Sequence, residues 1–159
     1  MTRNHSSLSR FLAAAVLLAA PLSIASADKH QKHENVDKEH LAVQGYDVVS
    51  YFTSGKAAKG DKGIMIRHDG HIYRFSSNEN RTAFLKAPEK YVPAYGGWCA
   101  TAMAEGKKVE IDPANFKITD GRLLLFYKSF FADAKTDWNK DEKGNLKKAD
   151  DHWAKIIAQ

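Results

Sequence analysis

The strongest constraint on how this chain folds is a dipeptide that occurs twice. Asp69-Gly70 separates IMIRH from HIYRF, and Asp120-Gly121 separates NFKIT from RLLLF. An Asp-Gly pair between β-rich runs specifies a two-residue hairpin turn, because both central positions need positive φ and Asp and Gly tolerate it. The first turn predicts that Ile64 faces Phe75, Ile66 faces Tyr73 and His68 faces His71, with all six on one side of the hairpin. The second sets Phe116 and Ile118 opposite Leu125 and Leu123, which makes that hairpin a core element.

The segments around the hairpins supply the other layer. Val48, Val49, Tyr51 and Phe52 suggest a short buried strand, with Thr53 to Lys56 as its exit. Ser76 and Glu79 have the spacing of a capping box, and the helix carrying Phe84 and Leu85 should stop before Pro88. Tyr127, Phe130, Phe131, Ala134 and Trp138 recur at helical spacing, as do Leu146, Ala149, Trp153, Ile156 and Ile157. The expected architecture is α+β: one small domain of β-hairpins packed against short helices.

The ends of the chain read differently. Residues 1–27 combine Arg3 and Arg10, an apolar run from Phe11 to Ala20, Pro21 and the triplet Ala25-Ser26-Ala27, the pattern of a secretory signal cleaved before Asp28. The apolar run is shorter than a bilayer requires, so the expectation is a periplasmic or secreted product with no membrane insertion after cleavage. Residues 28–40, DKHQKHENVDKEH, have no apolar periodicity and read as a mobile charged leader, with His30, His33 and His40 as a loose metal-capturing tract or a solvated tail. The domain proper is expected over 41–159. A net charge of +5, lowered further by the loss of Arg3 and Arg10, argues against a nucleic-acid partner. The single cysteine, Cys99, excludes an intramolecular disulfide framework, so packing must hold the fold.

Three blocks carry a resemblance: GYDVVSYFTSG, then GHIYRFSSNENRTAF, then PEKYVPAYGGWCA. Together they are similar to the YHS domain family in its exported, stand-alone form, over about residues 41–153. Related modules attached to heavy-metal transporters carry a D-P-V-C-G-M opening and an F-C-S-x-x-C stretch, whose thiolates suit soft metals. This chain has Ser50, Ser76 and Asn80 where those cysteines would fall. The resemblance therefore implies a small binding module, but carries over no sulfur site.

What is left must supply any chemistry. His68 and His71, paired across the turn, are candidate ligands for a copper or zinc ion, with Asp69, His152 or Cys99 as a third donor. Cys99, after Gly96-Gly97-Trp98, is either a ligand, a nucleophile with a nearby histidine, or a buried packing group. Tyr95 and Trp98 are candidates to line a cleft for an organic ligand or a protein segment. Three functions are open to such a chain: an exported transition-metal-binding protein acting through His68, His71 and Cys99, a non-catalytic ligand or interaction module around Tyr95 and Trp98, and a cysteine-dependent enzyme.

Overall fold

The computed structural model describes residues 33–159; the expected signal segment, 1–27, and the start of the leader lie outside the described residues. The fold is α+β. Both hairpins form as the Asp-Gly turns require: β1 (Asp61–His68) pairs with β2 (His71–Phe75), and β3 (Asp112–Thr119) with β4 (Arg122–Phe126), each an antiparallel two-stranded sheet. Asp69 and Gly70 sit at φ 46° and 81°, Asp120 and Gly121 at 51° and 74°, so each turn uses the left-handed region twice.

Register follows the turn only near the turn. His68 pairs with His71, Ile66 with Tyr73, Phe116 with Leu125 and Ile118 with Leu123. Further out, the expected pairing of Ile64 with Phe75 is not made. A bulge between Asp61 and Met65 puts Asp61 opposite Phe75, and β3 has the same irregularity between Asp112 and Phe116.

The helices are α1 (Ser50–Thr53), α2 (Asn78–Lys86), α3 (Pro88–Tyr91), α4 (Ala100–Ala104), α5 (Ala134–Trp138) and α6 (Glu142–Ile157), with 3-10 turns at Val43–Gly45 and Ala94–Gly97. The expected strand over Val48 to Phe52 is instead the entry and body of α1. A buried strand there would need ladder partners, whereas the Asp47 carboxylate accepts the Val49 N–H and the Ser50 and Ser54 side chains bond back to earlier carbonyls, which closes a helical turn. The capping box is displaced by one residue: Ser77 is the N-cap of α2 and accepts from Asn80, which leaves Ser76 free for another use.

The helix expected from Tyr127 to Trp138 is also shortened. Lys128 bridges Asp133, and the Ser129 N–H donates to Ala132, so residues 128–133 form a loop; Asp133 then caps α5. Phe130 and Phe131 are accordingly out of the core, at 94% and 93% exposure.

β4 divides the interior. Leu123 and Leu125 point into one core with Val48, Val49, Tyr51, Tyr73, Phe75, Phe84 and Cys99; Leu124 and Phe126 point into a second with Tyr95, Met103, Trp138 and Ala149. The uninterrupted apolar run of RLLLF is what a strand buried on both faces needs.

The leader expectation needs correction for its last part. Residues 33–36 lie as a strap along the Tyr95–Trp98 turn: the Asn35 N–H donates to the Gly96 carbonyl at 2.8 Å, Asn35 Nδ2 to the Gly97 carbonyl at 3.2 Å, and Trp98 Nε1 to the His33 carbonyl at 2.7 Å. Val36 bridges Ala42 and packs on the first core. Composition marks a segment without its own apolar face, but the strap needs only backbone groups and one valine to dock.

Candidate functional site

A cavity of about 350 Å³ opens where the two hairpin turns, the strap, the Pro93–Gly96 stretch and α6 converge. Glu34 comes from the strap, His68 and Asp69 from the first turn, Tyr73 from β2, Glu89 and Lys90 from α3, Tyr95 from the 3-10 turn, Arg122 from β4 and Trp153 from α6. Gly96 allows this convergence. Its φ is +59°, and a Cβ there would stand 2.8 Å from Trp153 Cη2 and 3.1 Å from the Glu34 Cα, so strap, turn and helix meet at the one position without a side chain.

The imidazoles occupy different environments although they are cross-strand partners. His68 lies on the cleft wall, its Nε2 3.4 Å from Asp69 Oδ2 and its ring edge-on to Phe84. His71 is 2% exposed, with its Nε2 3.1 Å from Glu34 Oε2 and its ring stacked on His40 at 6.0 Å. Neither His71 ring nitrogen makes a hydrogen bond of acceptable geometry within the described structure. Burial, and then the proximity of His40, pushes the His71 pKa down. Burial, and then the charge of Asp69, pushes Glu34 up to about 7. Both shifts favour uncharged forms, so the pair is not a strong ion pair at neutral pH.

The other wall is held rigidly. Tyr95, itself at φ 56°, donates its hydroxyl to Asp150 Oδ1 at 2.9 Å, and Arg122 lies 5.2 Å over the Tyr95 ring. Arg122 reaches Asp150 with both terminal nitrogens, at 2.8 and 3.2 Å. Burial pushes the Tyr95 phenol up, and for Tyr73 burial is reinforced by Glu34 and Asp69, so both phenols stay protonated as donors.

Of the residues expected from sequence, His68 and Tyr95 line the cleft, while His71 lies against the Glu34 side chain. Trp98 is used to anchor the strap and is covered by the Lys108 ammonium at 5.7 Å. Cys99 is 1% exposed in the first core, its N–H donating to the Val109 carbonyl, and does not join the histidines. Among the described residues no group of three or more His, Cys, Asp or Glu side chains is placed to hold a metal ion. Glu34, Arg122 and Trp153 carry no site signal in the sequence: Glu34 sits in a charge-rich segment, and the others read as surface and core.

A second polar centre gathers Ser50, Ser76 and Asn80 around Asp47. The fully buried Asp47 carboxylate accepts from the Val49 N–H, the Ser76 N–H and hydroxyl, and Asn80 Nδ2, all between 2.6 and 2.9 Å. Ser50 Oγ donates toward the Asp47 and Lys56 carbonyls and accepts from the Ala58 N–H. Each of these groups is satisfied, which marks the centre as a clamp between α1, β2 and α2.

Described helices include none long and apolar enough to cross a membrane. Comparison of the chain with family models, with curated proteins and with solved structures finds no match.

Proposed function

We propose that the chain is a small-ligand-binding module, non-catalytic in action, whose site is the cleft between the hairpin turns. The observation that carries this reading is the cavity itself: about 350 Å³, walled by five separate parts of the chain, with polar groups and aromatic faces converging on it. That volume is at the lower end for small-molecule sites, and such sites pair a few placed polar groups with aromatic walls. The test is native mass spectrometry of tag-free protein purified from its natural host, compared with Glu89→Trp. Glu89 is an exposed residue of α3 at the cleft wall, so the indole fills the mouth without entering the core. A small molecule retained by the unmodified protein and lost from Glu89→Trp supports the reading; equal retention by both places the ligand elsewhere.

The unpartnered ring of His71 favours a second reading, an open transition-metal site. His71 Nε2 and Glu34 Oε2, 3.1 Å apart, have the spacing of two donors to one ion, and imidazole with carboxylate suits Cu(II) or Zn(II). Two protein donors make a weak site, and Cys99 takes no part in it. Replacing His71 by Ala should then weaken Cu(II) or Zn(II) binding by about tenfold, or 1.4 kcal/mol, in a competing-chelator titration, while Cys99→Ser leaves it unchanged. Unchanged affinity on loss of His71 would remove this reading.

A further inference from the structure

We propose that the cleft receives a small organic cation, with its ammonium group against Glu34 and Asp69 and its apolar part against Trp153. The proposal rests on the cleft reading above and adds the class of ligand. Its first support is Glu34. The side chain is 22% exposed and faces the cavity, yet no described residue donates a hydrogen bond to its carboxylate. The nearest basic atom, His71 Nε2 at 3.1 Å, lacks hydrogen-bond geometry and is itself held uncharged by burial. A carboxylate withdrawn from water without a charged partner is costly, and a cation arriving from the cleft offsets that cost by its charge, whether or not it also donates a hydrogen bond.

The rest of the wall points the same way. Glu34, Asp69 and Glu89 are all on it, so an anionic ligand would meet three carboxylates. The wall's guanidinium, Arg122, is committed to Asp150 through two hydrogen bonds and covers the Tyr95 ring, while the Lys90 ammonium lies 5.3 Å over the Tyr91 ring. Of the aromatic residues on the wall, Tyr95 is covered by Arg122 and Tyr73 is only 4% exposed, which leaves the half-buried Trp153, and an ammonium beside a carboxylate and an aromatic ring gains from both. No metal is needed for such a ligand.

A cation seated at Glu34 stabilises the carboxylate form, so binding must expel the proton that Glu34 carries near neutrality. The titratable and charged groups around this carboxyl are Asp69 from the first turn, Tyr73 and His71 from β2 with His40 behind His71, and, around the same cavity, His68, Glu89, Lys90, Tyr95 and Arg122. Affinity therefore rises as pH passes upward through about 7.

The experiment uses tag-free, metal-stripped protein, with choline as the probe. Its control is the uncharged carbon isostere in which a tert-butyl group replaces trimethylammonium. Calorimetry in two buffers of different ionisation heat should show choline binding at least about tenfold more tightly than the isostere, with proton release. Glu34→Gln should abolish both the preference and the proton release, and circular dichroism reports whether that variant folds. Asp69→Asn, tolerated at positive φ, should lower choline affinity by about threefold and keeps the test open if Glu34→Gln misfolds. Equal binding of choline and isostere, no loss in either variant, or no choline binding at tens of millimolar overturns the cationic class. Isostere binding that Glu89→Trp blocks would leave the cleft reading standing while the charge preference fails.

Discussion

Glu34 makes the stability of this protein depend on pH in a direction opposite to that of a salt-bridged carboxylate. Its folded-state pKa is raised from 4.5 to about 7, so between those values the folded chain holds more protons than the unfolded one, and this group's contribution falls as pH rises through about 7. His71 acts in the other sense: its pKa is lowered from 6.5, so its contribution grows as pH rises toward 6.5. Glu34→Gln removes the first effect and keeps the second. The stability of that variant relative to the unmodified chain, from urea melts at about pH 5 and about pH 8, should increase with pH by at most about 3 kcal/mol. A difference independent of pH would mean that Glu34 is not withdrawn from water. Asp47 gives a second prediction at this scale. Truncation to Ala strands the Val49 and Ser76 N–H groups, the Ser76 hydroxyl and the Asn80 amide, and should cost about 3 to 5 kcal/mol. Neither residue stands out in the sequence, and for one reason: a carboxylate's role is set by what surrounds it. Asp47 lies within the first resembling block but pairs with donors about thirty positions away, and Glu34 lies in a segment with no pattern at all. His68 and His71 were legible as partners because a two-residue turn fixes register; that one would lie on the cleft and the other within the interior was not, since that depends on the strap.

The elements divide along the same line, between what neighbours in sequence determine and what distant packing determines. Both Asp-Gly turns and the inner pairings of both hairpins followed from local chemistry. The outer part of β1 did not, because the bulge between Asp61 and Met65, a stretch that holds Gly63, shifts the pairing beyond what the turn's chemistry determines. The periodicity through Phe130 and Phe131 was misleading for a related reason: spacing alone cannot weigh the Lys128–Asp133 bridge and the Asp133 cap that start α5 later. Replacing both phenylalanines by Ser should change stability by no more than about 0.5 kcal/mol, since neither is in the core. The glycines allow a sharper comparison. Gly121 sits at φ +74° with open space where a methyl group would project, so Gly121→Ala measures the backbone cost alone, about 1 to 2 kcal/mol. Gly96→Ala adds contacts of 2.8 Å with Trp153 and 3.1 Å with the strap backbone, and should be the more damaging by thermal melt. Equal costs at the two positions would mean that strap and α6 yield freely around Gly96.

At the scale of the whole molecule, β4 and the strap do complementary work. β4 joins the two cores through its opposite faces, and the strap closes the edge where the hairpin turns and α6 leave a gap. Removing residues up to and including His40 deletes three strap hydrogen bonds to the Tyr95–Trp98 turn, the His40 carbonyl that accepts from the Ile72 N–H, and the Val36 contact with the first core. At about 1 kcal/mol for each of these four bonds, with little added for one half-buried valine, the truncated chain should lose about 4 kcal/mol in urea denaturation. Because the strap carries no element of its own, unfolding should remain a single cooperative transition. The same truncation removes His40 and Glu34 from around His71, so the His71 imidazole should titrate closer to its ordinary 6.5 when followed by NMR. The two readouts distinguish a seated strap from one that merely rests on the surface: in the first case stability and the His71 titration move together. If neither moves, the domain is complete from Leu41 onward, and Glu34 loses its place in the cleft along with the charge that is expected to select the ligand.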